Sequence, residues 1–405
     1  MAPMSTSPTT IVISIFLATI LFMDSFQVCA YRAYHPARKR GNGTLTPVDK
    51  QTYVLFKILD EMPDNELFRA KSCGLMEQDV PDFKAPDRRI SQVKCLEQLW
   101  KMRFYDQLLL KKVRCKADLD GAYVSFAIYK GDEVHTAKFP HAGAIGWKTV
   151  SGAWIFLCGS ALISNRFMLT AAHCSRSSIH DDRVADPSPK IVRLGEFNIL
   201  DSIESGKKPM DFYIKNFIVH DNYRYPYKYN DVAVIELENS VPFTLYSSAS
   251  CIWPYDDKKL FGEAYETGWG IVESDETDSK PFYKVAKVNL IEQQTCSDIL
   301  KERLNTSQEV LSSHKICANY ASNDTYRGDS GGPLVMPILN PGFSDFTIHY
   351  IIGIETATSN SFDIPNIYTK ASSFVDWIED IVWKTEVPVK ELLSERNFAN
   401  IYGNL

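Results

Sequence analysis

Short strand-like runs dominate the larger, C-terminal part of the chain. Branched and aromatic residues form segments such as IVRL at residues 191–194 and HYII at residues 349–352, and turn residues separate these segments. Runs of this length and composition between turn residues are typical of β-strands. The pattern predicts β-strands separated by turns in this part of the chain.

Two segments show helical spacing instead. Near the C-terminus, apolar residues repeat at Phe374, Trp377, Ile378, Ile381 and Val382, which predicts one short helix. A second apolar series lies between residues 92 and 110 and consists of Leu96, Leu99, Trp100, Phe104, Leu108 and Leu109. Such a stripe is more typical of a packing face than of a binding face. A smaller, mixed or helical region is therefore expected before the β-rich part.

The N-terminus has the pattern of a secretory signal. An apolar run at residues 11–22 precedes VCA at residues 28–30, where small residues occupy the positions that a signal peptidase reads. We expect a signal peptide over residues 1–30, cut after Ala30. The alternative is a membrane anchor, but a span needs ~20 apolar residues, and Asp24 interrupts the run too early. The protein is thus expected to be secreted and extracellular, without a membrane partner.

Composition supports a globular extracellular protein. The 405 residues, 45% of them hydrophobic, suffice for two domains, and a net charge of -6 gives no reason to expect a nucleic-acid partner. Eight of the nine cysteines remain after loss of Cys29, and all eight are expected in disulfides. Glycosylation is expected at Asn42 and Asn305, whose sequences match the acceptor pattern.

The stretch YRGDSGGP at residues 326–333 is the strongest chemical signal, because it places Ser330 among glycines. Flexible glycines can present a serine hydroxyl together with two backbone N–H groups, which suits a nucleophile beside an oxyanion hole. The same residue types also form ordinary turns. Alone, the stretch leaves both interpretations open.

Two upstream motifs supply partners for this serine. LTAAHC at residues 169–174 contains His173, a candidate base, and NDVAVI at residues 230–235 places Asp231 before an apolar run. A lone histidine in such a stretch is more often a core residue, and a lone aspartate there is more often a turn residue. Together, in the order His, Asp, Ser, the motifs resemble those of the chymotrypsin-like (trypsin family) serine proteases, over about residues 128–384.

The resemblance implies an all-β fold of two six-stranded antiparallel β-barrels and a C-terminal helix, with the catalytic residues between the barrels. Ser330 would attack the carbonyl carbon, His173 would transfer the proton and Asp231 would orient the imidazole. The backbone N–H groups of Gly328 and Ser330 would form the oxyanion hole. No cofactor and no metal are expected.

Within this family the chain is similar to arthropod clip-domain proteases of the snake-like group, to judge from RRISQVKC at residues 88–95 and FPHAGAIGW at residues 139–147. The expected organisation is a regulatory prodomain at residues 31–127, a protease domain at residues 128–385 and a peripheral tail at residues 386–405. A clip module normally carries six cysteines, so a prodomain that contains only Cys73, Cys95 and Cys115 is expected to be degenerate.

The resemblance also implies disulfide pairs. In the family, a cysteine at the position of Cys251 links the prodomain to the protease domain, and its partner here could be Cys95 or Cys115. The resemblance also pairs Cys158 with Cys174, and Cys296 with Cys317.

The expected specificity pocket combines two opposing signals. Asp324, six residues before Ser330, occupies the position that selects arginine or lysine in trypsin-like members. Thr356 begins the segment TAT that aligns with the family's substrate-binding strand, and Thr358 then stands where glycine is usual. Asn366 replaces a second glycine. These side chains predict a narrower pocket, which would favour small aliphatic side chains.

Activation in this family requires a new N-terminus that pairs with the aspartate before the nucleophile, here Asp329. Alignment places the cut between Ala127 and Ile128. The residue immediately before the cut is thus alanine and not lysine or arginine. The expected partners are a protein substrate, an upstream activating protease and a serpin-type inhibitor. The interpretation is a secreted serine endopeptidase zymogen in a proteolytic cascade, and its rival is a non-proteolytic regulator that is never cut.

Overall fold

The computed structural model describes residues 82–84, 88–101, 139–178, 180–195, 199, 210–244, 247–255, 260, 263–269, 283–304, 313–320, 330–339, 347–357 and 364–384. The chain divides into two compact units, Met1–Asn65 with Leu339–Phe346, and Glu66–Ile338 with Thr347–Leu405. Every described residue except Leu339 lies in the second unit. Among these residues, no helix combines the length and apolarity needed to cross a membrane. The predicted boundaries at residues 30, 127 and 385 lie outside the described residues and stay predictions.

Six antiparallel strands close the first barrel. They are β1 (Ala142–Lys148), β2 (Trp154–Leu162), β3 (Phe167–Thr170), β4 (Ile191–Leu194), β5 (Met210–Val219) and β6 (Ala233–Leu237), in the order β1-β2-β3-β6-β5-β4. The IVRL run predicted as a strand is β4, and all four of its residues are buried. The interior is filled by Ile145, Leu162, Met168, Leu194 and Ile235, none more than 1% exposed. Side chains packed this closely leave little room for changes of volume in the core.

The second barrel is built from later strands. They are β7 (Cys251–Ile252), β8 (Ala264–Gly268), β9 (Lys284–Ile291), β10 (Lys315–Tyr320), β11 (Pro333–Leu339), β12 (Thr347–Ala357) and β13 (Asn366–Lys370). Six of them follow the order β11-β8-β9-β10-β13-β12, and pairing of β11 with β12 closes the ring. The short β7 adds to β12 in parallel. The prediction of two six-stranded antiparallel barrels is confirmed.

Three α-helices accompany the barrels in the described residues. Residues 90–101 are helical and are called α1 here, followed by α2 (Gln293–Leu304) and α3 (Val375–Val382). Helix α3 buries Val375, Ile378 and Val382, which confirms the predicted C-terminal helix. Helix α1 buries part of the predicted apolar stripe, namely Leu96, Leu99 and Trp100. The rest of that stripe, Phe104, Leu108 and Leu109, falls outside the described residues.

Three disulfides tie these elements together. Cys158 of β2 is bonded to Cys174, and Cys296 of α2 is bonded to Cys317 of β10. The third joins Cys95 of α1 to Cys251 of β7. Of the two partners that the sequence left open for Cys251, the structure therefore selects Cys95. The remaining candidates, Cys73 and Cys115, lie outside the described residues.

Candidate active site

His173 sits on a single turn of 3-10 helix, Ala172–Ser175, immediately after β3. Its neighbours Ala172 and Cys174 are buried, and the bond from Cys174 to Cys158 anchors the turn to β2. The imidazole itself keeps 15% of its side-chain surface exposed. Local packing therefore fixes the histidine backbone and leaves the ring at the edge of the barrel.

Asp231 approaches the histidine from the loop before β6. The preceding Asn230 adopts a φ of 49°, a left-handed conformation that asparagine tolerates better than most residues. Asp231 Oδ2 lies 2.8 Å from His173 Nδ1, and Oδ1 accepts a hydrogen bond of 2.9 Å from the His173 backbone N–H. The Asp231 carboxylate thus holds both the ring and the backbone of His173 by hydrogen bonds. The Asp231 side chain is 0% exposed.

The charge of Asp231 is preserved despite this burial. Burial alone would raise the pKa of the Asp231 carboxyl, but the hydrogen bonds and charge of His173 and the charge of Lys228 hold it below its ordinary value. With Nδ1–H donated to an ionised carboxylate, the basic lone pair of the ring is at Nε2. Nε2 is buried and has no hydrogen-bond partner within the described part of the chain.

Ser330 is held where the two barrels meet. Its carbonyl accepts a hydrogen bond of 2.9 Å from the Gly159 N–H of β2, and the next N–H, of Gly331, donates to Glu355 O of β12 at 2.9 Å. Gly331 has a φ of 80°, and a Cβ there would collide with Thr170 Oγ1 and approach Gly159 O to 2.9 Å. Glycine is therefore required after the serine, as the sequence motif indicated.

The structure describes only part of the predicted pocket and activation machinery. Thr356 and Asn366 are 1% and 3% exposed. Thr356 Oγ1 lies 2.7 Å from Thr369 Oγ1, and Asn366 Nδ2 donates to Glu266 Oε2 at 3.4 Å. The predicted residues outside the described ranges are Ala127, Ile128, Asp324, Gly328, Asp329 and Thr358, and so are both glycosylation sites, Asn42 and Asn305.

Sequence reasoning missed the buried charged groups around the site. Lys315, Glu266 and Glu355 are 2%, 1% and 0% exposed. A signal for each is present in the strands KICANY, AYETG and TIHYIIGIETA, because each strand contains a single Asp, Glu, Lys or Arg. Such residues are almost never fully buried unless they are paired, so each points to a specific partner.

The side chains of Cys158, His173 and Cys174 bring candidate ligand atoms within 4.8 Å of one another. A metal would need the cysteines as thiolates, but both sulfurs are bonded to each other in the disulfide. This cluster is therefore explained by the anchoring of the histidine turn.

Comparison with known families agrees with this arrangement. The family model described as Trypsin matches residues 128–378, more than half of the chain. The chain belongs to the trypsin family. The resemblance inferred from the three motifs is thereby confirmed.

Two arthropod proteins illustrate the relationship of this trypsin-family chain. It is 29% identical to Serine protease snk of Drosophila melanogaster over 272 residues, covering 64% of this chain and 57% of that protein. It is 30% identical to the Proclotting enzyme of Tachypleus tridentatus over 251 residues, covering 59% and 63% respectively. The matches thus span less than two thirds of either relative. The similarity to the snake-like group is confirmed.

Among solved structures, the chain is similar to neuropsin, a serine protease expressed in the limbic system of mouse brain. The sequence identity is 21% and the TM-score 0.46, over 60% of this chain and 95% of neuropsin.

Proposed function

We propose that this chain is the zymogen of a secreted serine endopeptidase that hydrolyses peptide bonds with Ser330, His173 and Asp231. The observation that carries the proposal is the double hydrogen bond of Asp231 to the ring and backbone of His173, at 2.8 and 2.9 Å. A buried carboxylate placed in this way selects one histidine tautomer and stabilises the imidazolium that forms during proton transfer.

In the proposed reaction, Ser330 Oγ attacks the carbonyl carbon of the scissile peptide while its proton passes to His173 Nε2. The imidazolium then gives this proton to the leaving amine, and water repeats the sequence on the acyl-enzyme. The N–H groups of Gly328 and Ser330 stabilise the oxyanion. The lowered pKa of Asp231 supports this scheme, because the carboxylate must stay ionised when the imidazole becomes charged.

Activation is proposed to follow a cut between Ala127 and Ile128, after which the new ammonium group pairs with Asp329. An upstream protease with a narrow pocket is the proposed activator, since alanine precedes the cut. The substrate is another protein, and a serpin-type inhibitor is a proposed partner. The name of one relative, Proclotting enzyme, supports a place in an extracellular proteolytic cascade.

The test uses the full secreted protein, digested with an elastase-like protease. Mass spectrometry of the N-termini should show Ile128, and amidase activity should appear with it. Ser330→Ala should abolish this activity. Asp231→Asn should lower kcat by about 10⁴-fold, because it stabilises the wrong histidine tautomer.

Asp221→Asn is the matched control, because this exposed aspartate lies in the same loop as Asp231. Its activity should equal that of the unaltered protein. Correct cleavage after Ala127 without any activity would refute the peptidase proposal and leave the non-proteolytic regulator. Activity that survives in Ser330→Ala would refute the proposed nucleophile.

A further inference from the structure

A buried lysine lies behind the candidate catalytic aspartate. Lys315 is the first residue of β10, and only 2% of its surface is exposed. Strand pairing sets Lys315 opposite Thr369 of β13, and Thr369 in turn opposite Ile354 of β12. The lysine side chain therefore lies inside the second barrel, among residues that reach toward the histidine and aspartate.

Hydrogen bonds connect the ammonium to the aspartate in two steps. Lys315 Nζ donates to Thr369 Oγ1 at 2.9 Å and to Thr356 Oγ1 at 3.4 Å. The two hydroxyl oxygens are 2.7 Å apart. Thr369 Oγ1 then donates to the backbone carbonyl of Asp231 at 3.0 Å. Thr369 Oγ1 accepts from the ammonium and keeps its own proton to donate, and Thr356 Oγ1 has a second acceptor in Ile354 O at 3.3 Å. This arrangement favours donation from Thr369 to the Asp231 carbonyl.

We propose that Lys315 is a positioning residue whose buried ammonium acts on the His173–Asp231 pair, through Thr369 and through its own charge. The proposal rests on the proposed function, in that it assigns this pair to catalysis. It adds a component that the three sequence motifs do not contain. Lys315 would act without touching the substrate.

A buried ammonium is energetically costly unless a partner compensates its charge. No carboxylate among the described residues forms a salt bridge with Lys315. Burial lowers the pKa of the Lys315 ammonium to about 8, while the negative charge of Asp231 acts in the opposite direction and Lys228 adds to the lowering. Asp231 thus acts on the Lys315 ammonium through its charge, without a salt bridge between the two side chains. An apolar side chain of similar length would avoid the cost altogether.

The charged and polar groups near Lys315 come from three elements. Lys228 and Asp231 come from the loop before β6, while β12 and β13 present the hydroxyls of Thr356 and Thr369. Glu355, the neighbour of Thr356, forms its hydrogen bond with Glu266 instead. Lys370 follows Thr369 and, by the alternation of side chains along a strand, is directed to the opposite face.

The sign of the effect on His173 follows from charge. Asp231 stabilises the protonated form of His173, and a cation behind Asp231 weakens that stabilisation. Removing the cation should therefore make His173 more basic. A peptidase needs neutral His173 to accept the serine proton, so the acidic limb of its pH profile should move to higher pH.

The experiment compares the full-length protein with Lys315→Met, which keeps the length of the side chain and removes the charge. The pKa of His173 is read by NMR from its Nδ1–H signal in the Ser330→Ala background, which requires no turnover. Lys315→Met should raise it by about 0.5 to 1 unit, less than the roughly 1 to 3 units of a charge in direct contact. In activated protein, the acidic limb of kcat/KM should shift by the same amount.

Two variants serve as controls. Lys315→Arg keeps a charge and should leave the His173 titration close to that of the unaltered protein. Lys228→Met removes an exposed cation that also lowers the pKa of Asp231, and its shift shows how much a solvent-screened charge on the same loop contributes. A role confined to packing would lower stability in Lys315→Met without moving the titration.

An unchanged His173 pKa in folded Lys315→Met would overturn the proposal, whether or not the protein proves to be a peptidase. If Lys315→Met fails to fold, Lys315→Gln replaces it in the same measurement, because it removes the charge and keeps a hydrogen-bond donor. An unchanged His173 pKa in folded Lys315→Gln would likewise overturn the proposal.

Discussion

At the scale of single residues, the most unusual feature of the second barrel is a pair of buried carboxyl groups. Glu266 accepts hydrogen bonds from Tyr368 OH at 2.5 Å and from Tyr320 OH at 3.3 Å, and it shares a further hydrogen bond with Glu355. Two carboxylates in contact cannot both remain ionised without strong repulsion, so one proton is shared between them. Burial raises the pKa of Glu266, and its hydrogen bonds only partly offset this.

This raised pKa predicts how stability depends on pH. The folded protein holds the Glu266 proton more tightly than the unfolded chain, whose carboxyl titrates near 4.5. The stabilising contribution is complete below that value and is lost as pH rises through the folded pKa, by up to about 1.4 kcal/mol per pH unit. Glu266→Gln should therefore flatten the decline in the free energy of unfolding, measured with urea between pH 5 and pH 8. Glu263→Gln, at an exposed position, should keep the original slope, and equal slopes in both variants would contradict the assignment.

At the scale of elements, helix α1, which the sequence assigns to the prodomain, is in contact with helix α3. Glu379 of α3 accepts hydrogen bonds from Arg89 Nη2 at 2.9 Å, Ser91 N at 3.1 Å and Ser91 Oγ at 2.6 Å. Near the C-terminal end of α1, Gln98 Nε2 donates a hydrogen bond to Ala249 O at 2.6 Å. The helix is thus fixed by polar contacts at both ends, in addition to its disulfide.

The Glu379 contacts can be tested by substitution. Glu379→Ala leaves Arg89 and Ser91 without their shared acceptor and should lower the free energy of unfolding by about 1 to 3 kcal/mol. Asp376→Ala removes the other carboxylate that contacts Arg89, but this side chain is 90% exposed. The expected loss is therefore below about 1 kcal/mol. Chemical denaturation measures both values, and equal losses would show that burial of Glu379 does not matter.

The whole molecule shows which properties a sequence can reveal. The fold and the positions of His173 and Asp231 were predictable, because short motifs and strand-length runs carry them locally. The burial of Lys315 and Glu266 was not, because each depends on partners from distant strands. Glu266 meets Tyr368 across 102 positions of the chain. The partner of Cys251 was open for the same reason, since Cys95 lies 156 positions away.

The disulfide between Cys95 and Cys251 predicts how the molecule behaves once it is cut. After cleavage between Ala127 and Ile128, the two pieces should run together on a denaturing gel without reductant and separate with it. Cys95→Ser should separate them without reductant, whereas Cys115→Ser should not. In native buffer, the cut Cys95→Ser protein should still elute as one species, because the contacts of Arg89, Ser91 and Gln98 remain. Co-migration of the Cys95→Ser pieces on the denaturing gel without reductant would show that another cysteine bridges them. Separation of these pieces in native buffer would show that the disulfide alone holds α1 in place.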